Sequence, residues 1–246
     1  NSNNISGTLT LDATNDNATI QFTTATATFN ALSAKADDGI TVNADITTDT
    51  GNLALEGDAD NAADTSDAIK FNAGRTLTSA GSITLDATTG KMTGAGALNL
   101  LAQDGITIND NLTTAGITTI NSDTVDFGDN VGTLTVIDGV TVKSGGFALN
   151  ITADDLNLNT SGKLNSTGAA TKITVSDGDT IGLGNGATVV DMRITGAELQ
   201  NITATGLTIG GTNSTIFVDG VTAANSNNIS GTLTLDATND NATIQF

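Results

Sequence analysis

Five carboxylates lie close together in one short segment, and they are the residues best suited to chemistry in this chain. The segment from Glu56 to Asp67 reads EGDADNAADTSD and contains no lysine or arginine. Hard oxygen ligands at short spacing suit Ca²⁺, although the segment matches neither the EF-hand loop nor the nonapeptide of calcium-binding β-rolls. We therefore predict either a solvated acidic loop or a Ca²⁺ site whose ligands are Glu56, Asp58, Asp60, Asp64 and Asp67.

The composition excludes most catalytic devices. The 246 residues include no histidine, cysteine, proline, tryptophan or tyrosine. Without an imidazole or a thiol, Ser/His/Asp and Cys/His arrangements cannot form, and a zinc site would have to consist of carboxylates alone. Polysaccharide-cleaving β-helices use carboxylates with basic and aromatic helpers, which are scarce here. We expect no enzyme and no required cofactor, with a carbohydrate-active β-helix enzyme as an alternative.

The net charge restricts the possible partners. The chain carries a formal charge of −19 with only eight lysines and arginines, which are scattered singly. Nucleic acids and anionic membrane surfaces would be repelled by such a surface. No apolar run approaches the length of a membrane-spanning helix, so this segment is not expected to cross a membrane.

The elements that position the acidic segment are expected to be short strands. Threonine is abundant and favours strands, while asparagine, aspartate and the 28 glycines favour turns. Apolar pairs separated by one residue recur along the chain, for example Leu9/Leu11, Ile40/Val42 and Ile106/Ile108. Each triplet predicts a strand with two side chains facing inward and one facing outward.

Local motifs suggest how these strands are arranged. DGITV from Asp38 to Val42 returns as DGITI from Asp104 to Ile108, three steps of about 22 residues further along the chain. GTLTLDAT at Gly7 returns as GSITLDAT at Gly81. A rung of about 22 residues with three strands predicts an all-β parallel β-helix, or solenoid. Two tandem β-sandwiches are the competing fold, but the three-residue strands argue against them.

The phenylalanines have a simple expected role in this fold. Most lie inside inward-pointing strand patterns, which predicts that they fill the core rather than stack on a ligand. The six distinct phenylalanines are Phe22, Phe29, Phe71, Phe127, Phe147 and Phe217.

A long exact repeat overlies the short one. The sequence from Asn1 to Phe22 returns unchanged from Asn225 to Phe246. We interpret residues 1–224 as one solenoid unit of about ten rungs and residues 225–246 as the first rung of an identical unit. Such a unit would rise about 48 Å and carry one net negative charge per roughly 2.8 Å, against about 1.7 Å in duplex DNA. Divalent cations are therefore expected to stiffen or bundle such a fibre.

Two segments resemble the filamentous-haemagglutinin-like repeats of giant bacterial surface proteins. They are GSITLDATTGKMTGAGALNL, from Gly81 to Leu100, and DGITINDNLTTAGITTINSDTV, from Asp104 to Val125. The resemblance implies a right-handed parallel β-helix, export across the bacterial envelope and a role as an adhesin stalk or surface fibre.

These observations lead to one main functional hypothesis and one alternative from another class. The main hypothesis is a structural extracellular fibre at the bacterial cell surface, whose partners are further copies of itself, joined end to end or side by side, and divalent cations. The alternative is an adhesin that binds a host or neighbouring cell through a site repeated in every unit on the Glu56 to Asp67 segment.

Overall fold

The chain winds into a stack of coils, most of which contribute one short strand to each of three parallel faces. The computed structural model describes residues 5–23, 25–64, 66–125, 130–176, 178–188, 190–212 and 215–246. Neighbouring strands within each sheet are parallel. The predicted all-β parallel solenoid with three strands per coil is therefore confirmed.

Up to residue 175, successive strands along the chain lie in sheets 1, 2 and 3 in turn. Sheet 1 contains β1 (Thr8–Ala13), β4 (Ala31–Ala36), β7 (Leu53–Glu56), β10 (Ile83–Asp86), β13 (Ile106–Ile108), β16 (Leu134–Val136) and β19 (Leu156–Asn157). Sheet 2 contains β2 (Ile20–Phe22), β5 (Ile40–Val42), β8 (Ala68–Phe71), β11 (Lys91–Gly94), β14 (Leu112–Thr114), β17 (Thr141–Lys143), β20 (Lys163–Asn165) and β24 (Ile202–Thr203). Sheet 3 contains β3 (Ala27–Phe29), β6 (Ile46–Thr48), β9 (Arg75–Ser79), β12 (Leu98–Ala102), β15 (Thr118–Asn121), β18 (Leu149–Ala153), β21 (Ala170–Val175), β25 (Gly206–Gly211) and β27 (Leu233–Ala237).

Sheet 4 continues sheet 1 along the axis. Its strands, in spatial order, are β23 (Met192–Ile194), β22 (Thr180–Leu183), β26 (Thr215–Val218) and β28 (Thr243–Gln245). Strand β23 contacts β19, and the backbone N–H of Arg193 donates to the carboxylate of Asp155, just before β19, over 3.0 Å. Strand β22 is an extra strand on the face that sheets 1 and 4 form. The chain passes from β21 of sheet 3 into β22 and then into β23, so this coil contributes two strands to that face.

The inward apolar pairs form one continuous core. Ile40 and Val42 are almost fully buried, while Thr41 between them is partly exposed. In the register of the sheets, Ile83 lies beside Leu53 on one side and Ile106 on the other, so like residues stack in columns. Because each coil covers the apolar pairs of its neighbours, burial accumulates along the axis.

The Asp-Gly motif marks corners of the coil. Gly39 and Gly105 have φ angles of 103° and 101°, a conformation that side chains other than glycine rarely adopt. The carboxylate of Asp38 accepts a hydrogen bond from the backbone N–H of Ser66, 2.9 Å away in the next coil. The motif at Asp38 therefore bends its own coil and ties it to a neighbour.

Buried hydroxyl groups complete the corners between the sheets. The hydroxyl of Thr48 lies 2.9 Å from that of Ser79 and donates to the carbonyl of Gly51 over 2.6 Å. The hydroxyls of Ser166 and Thr171 likewise lie 2.7 Å apart inside the solenoid. These groups are satisfied within the protein, so they do not carry the penalty of unpaired buried polar atoms.

The coils differ widely in length. The coil from Ala27 to its partner Ile46 is short, and the coil from Leu164 to its partner Ile202 takes about twice as much chain. The longer coil accommodates β22, β23 and the short helix α1 (Gly196–Gln200). Among the described residues, the path from β1 to β27 covers eight coils and two further strands, fewer than the roughly ten rungs expected from the sequence.

The expected role of the phenylalanines is only partly confirmed. Phe71 is almost fully buried, and Phe22 and Phe29 pack edge to face with ring centroids 6.4 Å apart. Phe147 is 46% exposed because it ends a tight turn, in which its N–H donates to the carbonyl of Ser144 over 3.1 Å. Phe217 is partly buried, and Phe127 lies outside the described residues. Among the described residues, no helix has the length and apolarity needed to span a membrane.

Candidate functional site at the acidic loop

The acidic loop, Glu56 to Asp67, joins β7 of sheet 1 to β8 of sheet 2. The coil that contains it, from Leu53 to its partner Ile83, is longer than the preceding coil, from Leu32 to Leu53. The five carboxylates expected to bind one Ca²⁺ ion do not all meet at one point, and the structure places them in four different settings.

Glu56 faces away from the other four carboxylates. It is the last residue of β7 and lies on the outer face of sheet 1, where its carboxylate is 2.7 Å from the ammonium group of Lys35. The hydrogen bond and the negative charge of Glu56 raise the pKa of Lys35. Because both side chains are partly exposed, this ion pair contributes little to stability, about 0–1 kcal/mol.

Asp58 and Asp67 are buried against Thr89, which lies in the next coil. One oxygen of Asp58 accepts hydrogen bonds from the N–H and the hydroxyl of Thr89, over 2.6 and 2.7 Å. One oxygen of Asp67 accepts from the N–H of Asp64 over 2.5 Å and lies 3.2 Å from the same hydroxyl. The other oxygen of each carboxylate is buried without a hydrogen-bond partner among the described residues.

Asp64 belongs to a second cluster, which sequence reasoning did not identify. Its carboxylate lies with those of Asp16 and Asp37, and one oxygen from each is within 4.8 Å of the others. Asp16 and Asp64 are exposed, while Asp37 is buried and accepts a hydrogen bond from the N–H of Asn17 over 2.7 Å. Desolvation, followed by the negative charges of Asp67 and Asp37, raises the pKa of Asp64.

The three members of this carboxylate cluster come from three consecutive coils. Asp16 lies between β1 and β2, Asp37 between β4 and β5, and Asp64 between β7 and β8, so all three occupy the corner between sheets 1 and 2. The sequence feature that could have predicted this cluster is an aspartate after each of these sheet 1 strands. These aspartates are unequally spaced along the chain because the coils differ in length, so the sequence did not show that they lie side by side.

Asp60 and two lysines complete the surroundings of the loop. Asp60 is exposed, and its carboxylate accepts a hydrogen bond from the N–H of Ala62 over 2.8 Å. Lys70 and Lys91 line a cavity of about 390 Å³ together with Asp64 and Asp67. The loop has no basic residue of its own, yet the fold places two lysines in the lining of the adjoining cavity.

The carboxylate cluster of Asp16, Asp37 and Asp64 has the chemistry to bind a cation. Three carboxylates within 4.8 Å can share a hydrated divalent ion, for which Ca²⁺ would need six to eight oxygen ligands in all. A shell completed largely by water would give a weak affinity, about 10⁻⁴–10⁻³ M, as in extracellular calcium modules.

The comparisons with known proteins give no relative for this chain. No family model matches it, and neither a curated protein nor a solved structure is significantly similar to it.

Proposed function

We propose that this chain is part of a structural fibre built from tandem 224-residue solenoid units, exported to the bacterial cell surface. The observation that carries the proposal is the repeated 22-residue sequence, because both copies form strands of the solenoid. In the first copy β1 pairs with β4, and in the second β27 pairs with β25. The sequence that begins one unit is therefore compatible with the strands that complete the unit before it.

The mechanism of such a fibre is mechanical. Parallel strands linked along the whole axis resist extension, since each coil is hydrogen-bonded to the coils before and after it. One unit carries a net charge of −17, because the repeated tail adds only Asp236 and Asp240 to the total of −19. With about 4.8 Å per coil, the unit rises about 42 Å and carries one net charge per roughly 2.5 Å. That density approaches the value of about one per 1.7 Å for duplex DNA, so the fibre should gather counterions.

Imaging and surface labelling test this proposal. Antibodies raised against the solenoid should label intact cells of the source organism, and released filaments should show an axial period of about 42 Å per unit. Labelling that appears only after the cells are opened, or the absence of any period near this value, would reject the surface fibre.

Divalent cations are proposed to bind at the carboxylate cluster of Asp16, Asp37 and Asp64. For a Kd of about 1 mM, about 10 mM Ca²⁺ would stabilise the fold by about 1.4 kcal/mol. Asp64→Asn removes one ligand, whereas Asp60→Asn removes the same charge from the same loop without touching the cluster. The stabilisation by Ca²⁺ should fall in the first variant and persist in the second. An equal response in both variants would mean that Ca²⁺ only screens the overall charge.

An adhesin is the second candidate function, and the cavity beside the acidic loop is the observation that favours it. Its lining includes Asp64, Asp67, Lys70 and Lys91, whose side chains offer donors and acceptors to a polar ligand such as a glycan. A glycan array probed with the 246-residue chain tests this function. Binding that Lys70→Met or Lys91→Met abolishes would support the adhesin, and an array without any specific signal would reject it.

A further inference from the structure

The two identical 22-residue segments lie on different faces of the solenoid. The sequence of β1, on sheet 1, is repeated in β27, on sheet 3. The sequence of β2, on sheet 2, is repeated with a one-residue offset of the strand limits in β28, on sheet 4, which continues sheet 1. A third pair of equivalent residues agrees with this shift. The carbonyl of Ile5 accepts a hydrogen bond from Asn30, at the corner between sheets 3 and 1, whereas its counterpart Ile229 bridges to Ala204 beside sheet 2.

In all three pairs of equivalent segments, the second copy lies on the face, or at the corner, that precedes that of the first copy. From these we infer that successive 224-residue units join end to end with a rotation of one third of a turn about the fibre axis. This inference rests on the proposed fibre and specifies its symmetry. The surface involved is the outer edge of β27 and β28, and its partner is the β4 and β5 sequence of a second unit.

The registers of the two copies fit together at this junction. In the second copy, Leu233 lies beside Leu207 of β25; in the first, the equivalent Leu9 lies beside Leu32 of β4. Both neighbours, Leu207 and Leu32, are 1% exposed, so the junction would place one leucine between two buried leucines. Among the described residues, β27 pairs only with β25, and its other edge is the one on which a β4 sequence would pair.

The second half of the segment shows the same complementarity. Ile244 of β28 lies beside Ile216 of β26, and the equivalent Ile20 of β2 lies beside Ile40 of β5. Ile216 and Ile40 are both almost fully buried. The junction therefore continues two faces of the solenoid at once, with apolar columns on each.

Another motif shows that the faces accept the same sequence. The Asp-Gly-Ile-Thr motif leads into β5 on sheet 2 at Asp38 and into β13 on sheet 1 at Asp104. Both strands bury their first and third residues, and both glycines have φ near 100°. A strand sequence in this protein is thus not restricted to one face, which removes the main obstacle to rotation.

The rotation has a consequence for what the fibre displays. The unit contains eight coils and two strands, so three units, or about 125 Å, would be needed to return to the same face. Acidic loops of successive units would point in three directions about 120° apart. Charges of neighbouring loops would then be separated around the axis instead of lying in one row, which lowers their mutual repulsion.

Disulfide trapping within the 246-residue chain tests the register directly, since the protein has no cysteine of its own. Thr208 lies beside Thr234, and Thr215 lies beside Thr243, in neighbouring parallel strands. The double variants Thr208→Cys/Thr234→Cys and Thr215→Cys/Thr243→Cys place cysteine Cα atoms about 4.8 Å apart, within the range for a disulfide. Both should form their disulfide under mild oxidation.

A third pair represents a junction without rotation. If β27 stacked on β26, Thr234 would lie beside Thr215 or Phe217, so Thr215→Cys/Thr234→Cys or Phe217→Cys/Thr234→Cys would crosslink. We expect both of these pairs to stay reduced. Crosslinking in this arrangement, or failure of the two expected pairs while the first-copy control Thr10→Cys/Ser33→Cys crosslinks, would overturn the rotation.

The outcome is independent of whether the protein forms fibres, because all of these pairs lie within one chain. In assembled filaments, helical reconstruction should then give a rotation of about 120° with a rise of about 42 Å per unit. A repeat without rotation would overturn the inference and leave the fibre itself intact.

Discussion

Acidification should stabilise this protein through Asp154, at the corner between β18 of sheet 3 and β19 of sheet 1. The residue is only 6% exposed. Desolvation is the main cause that raises the pKa of its carboxyl group, from an ordinary value of 3.8 to about 6, and the charges of Asp155, Asp123, Asp179 and Asp191 add to this rise. Burial and a like-charge neighbourhood therefore act in the same direction.

The sign of the pH dependence follows from the two states. The folded protein holds the proton up to a pH of about 6, whereas the unfolded chain releases it near pH 3.8. Above pH 6 the ionised Asp154 destabilises the fold, and this penalty disappears as the pH falls through 6 towards 4. This shift in the pKa of Asp154 corresponds to about 3 kcal/mol in the free energy of unfolding. Solvent screens part of the interaction, so the expected effect is about 2 kcal/mol.

Thermal unfolding followed by circular dichroism between pH 4 and 8 measures this effect. In a chain of this length, about 2 kcal/mol corresponds to roughly 4–8 °C in Tm. The wild type should melt higher at pH 5 than at pH 7, and Asp154→Asn should raise Tm at pH 7 and flatten the profile. Asp104→Asn, which removes an exposed charge, is the control and should keep the wild-type slope. A wild-type Tm that is constant or lower on acidification, or a lower Tm for Asp154→Asn at pH 7, would refute the reasoning.

Two further predictions concern stability and are measured by denaturant unfolding. Gly39→Ala should destabilise by about 3 kcal/mol, because φ is 103° and the added Cβ would lie 2.6 Å from the carbonyl oxygen of Ser66. Gly7→Ala has open space around its Cβ and should change stability by less than about 1 kcal/mol, so equal effects of the two would contradict the corner geometry. Phe71→Ala should cost about 3–5 kcal/mol, because the ring is fully buried. The half-exposed Phe147→Ala should cost far less, and a reversed order would show that the core is assigned incorrectly.

The sequence was sufficient to predict the class of fold and the strands that have an inward apolar pair, such as Ile40 and Val42, next to a turn rich in Gly, Asn or Asp. Both signals are local in the sequence. They can therefore be recognised without knowing which coils are neighbours in the structure. The sequence did not predict strands such as β6 and β14, in which one inward residue is a threonine.

Coil length could not be predicted in the same way, because it depends on what each corner encloses. The corner from Glu56 to Asp67 lengthens its coil, and the segment containing α1 lengthens another even more. The helix is held by Glu198, whose carboxylate accepts hydrogen bonds from the N–H of Thr195 and from the N–H of Leu158, 40 residues away. No local sequence pattern predicts a contact between residues so far apart in the sequence.

The candidate site could likewise be predicted from the sequence only in part. The sequence correctly singled out the acidic loop, but it grouped carboxylates by their spacing along the chain. In the structure, grouping follows the corner: Asp16 and Asp37 join Asp64 from other coils, while Glu56 pairs with Lys35 on the outer face. Thr89, which organises Asp58 and Asp67, carries no signal in the sequence, because threonine is common throughout the chain.

An exact long repeat is possible because the three faces accept similar strands. On each face a strand can combine an inward apolar pair, an outward polar residue and a corner that a glycine or hydroxyl can close. A repeating unit must therefore match the solenoid only to the nearest third of a coil, not to a whole number of coils. The two copies satisfy this weaker condition, with Leu9 on sheet 1 and Leu233 on sheet 3, each in register with a buried leucine. A rotating junction then requires no adjustment of coil length, whereas a junction without rotation would require one further strand in every unit.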